Sequence, residues 1–145
     1  MFRKSLLYLL TILEAIEKIS VYCKEMSNAQ ELFDARDQLH FNASMNLLIA
    51  IGEESNKLDR ELKARFIFDW RSVISLRNKL SHDYRGTDPY IIWDIITNSL
   101  PPLKRVCLEM FDFIKTESDL SQDYLMRVAQ SGYYKHLSYL LERSS

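Results

Sequence analysis

The chain has 145 residues, the length of one ordinary domain, with 47% hydrophobic residues and a formal net charge of -1. That balance excludes a disordered chain and a uniformly basic nucleic-acid binder, so any contact with nucleic acid has to come from a local patch. Three Gly and three Pro leave few turns and favour helices. Cys23 and Cys107 belong to no CxxC pair and read as reduced, buried thiols of a cytoplasmic protein. Glu14 and Glu17 interrupt the first apolar run, and no stretch of about 18 apolar residues follows. Neither a leader nor a membrane span is expected.

In chain order, Leu6, Leu9, Leu13, Ile16, Ile19, Cys23 and Met26 recur at steps of three and four, which predicts a first helix over 4–26 ended by Ser27-Asn28. A second helix is expected over 34–58. Its apolar positions, Leu39, Ala43, Leu47 and Ala50 with Met45, Leu48, Ile49 and Ile51 beside them, cover more than one stripe, so it should be covered on two sides. The charged segment 59–68 reads as a connection holding one short turn. Asp69 is a good N-cap for a third helix, whose stripe reads Trp70, Val73, Ile74, Arg77, Leu80, Ser81 and Tyr84 before Gly86-Thr87 ends it. Thr87 or Asp88 caps a fourth helix, with Pro89 in its first turn and a face of Ile92, Ile95, Ile96, Leu103, Val106, Met110 and Ile114. Pro101-Pro102 must kink or divide it, because proline lacks the backbone donor and clashes with the preceding turn. The remainder reads as one or two short helices broken near Ser131-Gly132. The fold expected is all-α: an up-down bundle of four main helices over 1–117, with a short helical C-terminal extension, 118–145, packed on the same domain.

The third helix carries the anomaly. An arginine in a core-facing stripe is costly unless it is paired or lines a cleft. His82 follows five residues after Arg77, and Asn78 sits one turn before His82, placed to orient its imidazole. Residues 60–85 hold seven basic side chains (Arg60, Lys63, Arg65, Arg71, Arg77, Lys79, Arg85) against three acidic ones (Glu61, Asp69, Asp83), a local charge of +4 suited to phosphate. The histidines and cysteines show no metal-ligand spacing, and adjacent Glu53 and Glu54 point about 100° apart on a helix, so neither a metal nor another cofactor is expected.

The octapeptide Arg77-Asn78-Lys79-Leu80-Ser81-His82-Asp83-Tyr84 resembles the R-x4-H-x-Y signature of HepT-like proteins in the HEPN superfamily. Gly52-Glu53, Trp70, Trp93 and Leu100-Pro101 resemble further positions of that family, and the likeness covers about residues 5–115. The resemblance implies a HEPN-like bundle and a metal-independent endoribonuclease, a toxin working as a homodimer beside a minimal nucleotidyltransferase antitoxin that transfers AMP to the motif tyrosine. Carried over, Arg77 and His82 are the catalytic residues and Tyr84 the modification site. Asn78 and Glu53 stand behind them as supporting residues, and Lys79, Arg85 and Arg71 are the RNA contacts.

Simpler readings stand beside these. Arg77 could be a structural arginine paired with Glu53 or Glu54. Tyr84 could serve packing alone, and the Tyr133-Tyr134 pair packing or an interface. His40 and His136 match no motif and read as surface or structural. The rival for the whole protein is a non-catalytic module that docks a nucleotidyltransferase.

Overall fold

A computed structural model of the chain describes residues 2–82 and 86–142, and of His82 the backbone alone. Among the described residues every regular element is a helix. The longest, α1 (Arg3–Cys23), is the core of the molecule: Leu6, Leu9, Leu10, Ile12, Leu13, Ile16 and Ile19 are all buried, more than one face of a helix can hold. A helix apolar nearly all round has to be covered nearly all round. Here α3 (Leu39–Lys57) and α8 (Leu100–Glu117) lie against α1, and the C-terminal extension closes over part of the remainder. The other side of α3 receives α5 (Trp70–Ile74) and α6 (Leu76–His82), so α3 is covered on two sides, as its double stripe requires.

The second predicted helix begins later, as α3 at Leu39, and a short helix that the periodicity did not predict precedes it. Asn28 caps α2 (Ala29–Asp34) by accepting the backbone N–H of Glu31 at 2.9 Å, and a tight turn over Ala35–Gln38 then redirects the chain into α3. In that turn Arg36, Asp37 and Gln38 have φ of 48°, 55° and 66°, the left-handed region that ordinary side chains rarely adopt. No glycine marks the site, so composition gave no sign of the break. In the connection that follows, Asp59 caps α4 (Arg60–Arg65).

Asp69 does cap the next segment, accepting from Ser72 N at 3.2 Å, and the Trp70 indole N–H donates to the Phe66 carbonyl at 3.2 Å, pinning the entry to α5. The third predicted helix then breaks at Ser75, whose hydroxyl donates to Ser72 O at 2.7 Å. The i→i−4 bonds nevertheless continue on either side, from Ser75 N to Arg71 O and from Lys79 N to Ser75 O, both at 3.0 Å. Leu76 and Leu80 are buried, Val73 and Ile74 are half-buried, and Arg77 and Ser81 are exposed. The expectation that Arg77 interrupts a core-facing stripe is therefore corrected: Leu76 takes that place.

Asp88 caps α7 (Pro89–Asp94) through Tyr90 N at 2.9 Å, with Pro89 at the helix start where its missing N–H costs nothing. The expected disturbance at Pro101-Pro102 is a widened π-turn over Ile95–Ser99, where Leu100 N reaches back five residues to Ile95 O. One extra residue in the turn lets the helical path continue into α8 although two backbone donors are missing. The Thr97 hydroxyl helps by donating to the Trp93 carbonyl at 2.8 Å.

The extension comprises α9 (Gln122–Ala129), a single turn at Lys135–Leu137 and α10 (Ser138–Leu141). Leu125, Leu137 and Leu141 are fully buried, and the interruption at Ser131-Gly132 uses a glycine with φ of 85°. The extension is fastened to α1 by two hydrogen-bond contacts between His136 and Glu14. His136 donates its backbone N–H to Glu14 Oε1 at 2.8 Å and brings its ring Nδ1 within 2.8 Å of Oε2. Glu14, which breaks the first apolar run, is thus a buried carboxylate with a dedicated partner, and His136 is structural.

Candidate active site

Gly52 decides how closely the motif helix lies against α3. A β-carbon there would stand 2.9 Å from the Val73 carbonyl oxygen and 3.0 Å from the Arg77 nitrogen. Both are backbone atoms that cannot swing aside, so only glycine permits this crossing. The close approach puts Glu53 and Arg77 on the walls of one cleft of about 200 Å³, with Asn56, Lys57 and Asn78. Arg77 is exposed at the mouth of this polar cleft.

Arg77 is held in no ion pair among the described residues. Glu54, one candidate partner, instead pairs with Lys57 at 2.9 Å, and this hydrogen bond holds the Lys57 ammonium above its ordinary range. Glu53 shares the cleft with Arg77 and is exposed, as is Asn78 on the opposite wall. An exposed guanidinium, a carboxylate and two amides are suited to grip a phosphate and its ribose neighbour, since guanidinium matches phosphate oxygens bidentately.

His82 is the last residue of α6, which places its backbone little more than one turn beyond Arg77. Tyr84 and Arg85 lie outside the described residues. Lys79 is exposed and lines a second, larger cavity between α5, α6 and α7, and Arg71 is exposed on α5. Behind these groups, burial, with the charge of Arg60 next, lowers the Lys63 ammonium below its ordinary range while its Nζ donates to the Ser55 carbonyl at 3.1 Å. Asn56 and Lys57 went unnoticed in the sequence. Their spacing of four and five residues from Gly52 was the available signal, since that stretch of helix faces the motif helix. Among the described residues no group of three or more His, Cys, Asp or Glu side chains is gathered as a metal would require. Nor is any helix among them long and apolar enough to cross a membrane.

An all-helical bundle in which a glycine on one helix seats an R-x4-H helix with an exposed arginine belongs to the HEPN-like class. The ribonuclease HepT-like family matches residues 12–110, and the chain belongs to that family. It is 33% identical over 98 residues to a probable ribonuclease HepT of Thermococcus cleftensis, covering 67% of this chain and 86% of that one. Two candidate RNases of Methanocaldococcus jannaschii are similar too, one 32% identical over 65% of this chain and 76% of its own, the other 25% identical over 68% and 88%. No solved structure matches the chain.

Proposed function

We propose that this chain is a metal-independent endoribonuclease, the toxin of a toxin–antitoxin pair. Arg77 and His82 are its catalytic residues, with Asn78 and Glu53 in support and Lys79, Arg71 and Arg85 contacting RNA. The observation that carries this reading is the cleft beside the motif helix that Gly52 lines, where Arg77, in no ion pair among the described residues, faces Glu53 and Asn78 in a chain of the ribonuclease HepT-like family.

The chemistry needs little beyond these groups. The ribose 2′-oxygen attacks the adjacent phosphorus and gives its proton to a base. The P–O5′ bond breaks, and an acid protonates the leaving 5′-oxygen, which leaves a 2′,3′-cyclic phosphate. Histidine titrates near neutrality and can serve at either end of that transfer. The guanidinium stabilises charge that grows on the phosphoryl oxygens. A two-fold homodimer with facing motif helices would supply two histidines to one site.

Neutralisation would act on the motif tyrosine. A minimal nucleotidyltransferase partner would join the Tyr84 phenol oxygen to the α-phosphorus of ATP, releasing pyrophosphate. The AMP phosphate would then compete with RNA for Arg77 and block the cleft.

The test is RNA cleavage by purified protein. His82→Ala should lower the rate about 10²–10⁴-fold. Arg77→Lys should fail as well, because an ammonium cannot bridge two phosphate oxygens. Cleavage should persist in EDTA and weaken as salt rises. Intact mass after co-expression with the nucleotidyltransferase should increase by AMP, and Tyr84→Phe should abolish the increase. A His82→Ala protein that cleaves at the wild-type rate would end the catalytic proposal and leave a module that docks the nucleotidyltransferase as the account.

A further inference from the structure

The largest of the described cavities is not the cleft at Arg77. It holds about 470 Å³ and lies on another flank of the same helix, between α5, α6 and the path from α7 into the π-turn. That volume is typical of small-ligand pockets, which run from about 300 to 1,000 Å³. Its walls are the apolar side chains of Leu76, Leu80, Ile91 and Ile95. Ile91 and its neighbour Tyr90 are 56% and 66% exposed, so a large apolar surface opens to solvent beside the motif helix.

Two charges of opposite sign line the same cavity, Lys79 from α6 and Asp88 from the α7 cap. Lys79 is in no ion pair among the described residues. Asp88 is held in place because Oδ1 accepts the Tyr90 N–H at 2.9 Å, and its second oxygen has no hydrogen bond among the described residues. Apolar walls with one fixed acceptor and one exposed lysine describe a site for a heteroaromatic ring with both kinds of edge. Among the RNA bases, guanine offers acceptors at O6 and N7 for a lysine and donors at N1 and N2 for a carboxylate. Adenine would present its amino group where guanine has O6, and neither pyrimidine would fill the walls as well. Unstacked bases of single-stranded RNA are read in this way, by apolar contact on the faces and hydrogen bonds at the edge.

We propose that this cavity is a nucleobase pocket that selects guanine in single-stranded RNA close to the cleaved bond; the proposal rests on the ribonuclease reading above. A strand whose phosphate sits on Arg77 and whose neighbouring base turns across α6 would reach it, with Lys79 contacting that base rather than serving as a general phosphate anchor.

The experiment compares cleavage of four single-stranded oligonucleotides that differ only in one base, G, A, C or U, by the wild type and two variants. Asp88→Asn keeps the helix cap, since asparagine caps as well as aspartate, but removes the charged acceptor. Ile91→Trp fills the cavity from an exposed position. The wild type should favour the guanine substrate by about tenfold, the discrimination of one good two-point base contact. In Asp88→Asn, kcat/KM on that substrate should fall by about the same factor while the adenine substrate is unaffected, and Ile91→Trp should remove the preference too. Equal cleavage of all four substrates, or a preference that survives both variants, overturns the pocket and leaves the ribonuclease reading standing. So does an Ile91→Trp protein that becomes monomeric in sedimentation with base preference unchanged, which would assign the surface to a contact with a second copy. If the wild type cleaves no RNA, the ribonuclease reading fails, and calorimetric titration with GMP and AMP decides the pocket separately. GMP binding that Asp88→Asn abolishes upholds the pocket, and no binding of either nucleotide removes it.

Discussion

At Gly52 a single hydrogen in place of a side chain decides where the motif helix can sit. Gly52→Ala would push a methyl to 2.9 Å from the Val73 oxygen, so α3 and α5–α6 must separate. Overpacking of this kind costs about 1–3 kcal/mol, and the urea midpoint should fall accordingly without a change in slope. RNA cleavage should fall as well at temperatures where the variant is still folded, because Arg77 moves away from Glu53. Glu14 makes the opposite case, a polar side chain kept inside by its partner. His136→Ala would leave the carboxylate with the backbone N–H alone, and the fold should lose about 1–3 kcal/mol in urea denaturation. A double-mutant cycle with Glu14→Gln should show the two losses to be less than additive, since both variants break one contact. If His136→Ala is neutral, the extension is held by its leucines and not by this pair.

Among the elements, the π-turn at Ile95–Ser99 is where local chemistry overrode helical periodicity. Pro101 and Pro102 remove two donors, the turn before them widens, and Thr97 supplies a side-chain donor to the Trp93 carbonyl. Thr97→Val keeps the shape and removes that donor. Because the site is exposed to water, the loss should be about 0.5–1.5 kcal/mol in thermal or urea unfolding, and amide exchange should quicken in the turn. An unchanged exchange rate would mean that the proline pair alone maintains the turn. Across Ser75 the inward positions Val73, Leu76 and Leu80 keep ordinary helical spacing, which leaves Arg77 exposed beside them.

In the whole molecule, both cysteines are buried, and Cys107 is completely enclosed. Burial pushes the Cys107 thiol well above its ordinary value of 9.0, and pushes Cys23 up in the same direction. The unfolded chain therefore gives up the Cys107 proton at a lower pH than the folded one does. Stability is whole below pH 9.0 and declines as the pH rises above it, by at most about 1.4 kcal/mol per pH unit for one such group. Cys107→Ala should flatten that alkaline slope while lowering stability at pH 7 through the small cavity it leaves. Neither thiol of the native protein should react with a thiol reagent at pH 8.

The helical class, the cap at Asp69, a cap at Thr87 or Asp88, the disturbance at the proline pair and the R-x4-H-x-Y resemblance were all legible along the chain. Each depends on neighbours within a turn or two: side-chain oxygens placed to take orphan amides, a missing proline donor, a spacing of residue types. What needed the tertiary structure depends on segments far apart in sequence. The left-handed turn at Arg36–Gln38 joins α2 to α3 and carries no glycine to announce it. Glu14 and His136 are 122 positions apart, and nothing near either names its partner. The role of Gly52 is visible only once α5 and α6 lie across α3, and the Arg77 cleft and the guanine pocket proposed here are spaces between helices. Local hydrogen bonding and hydrophobic period shape an element, but a space between elements exists only after they have packed.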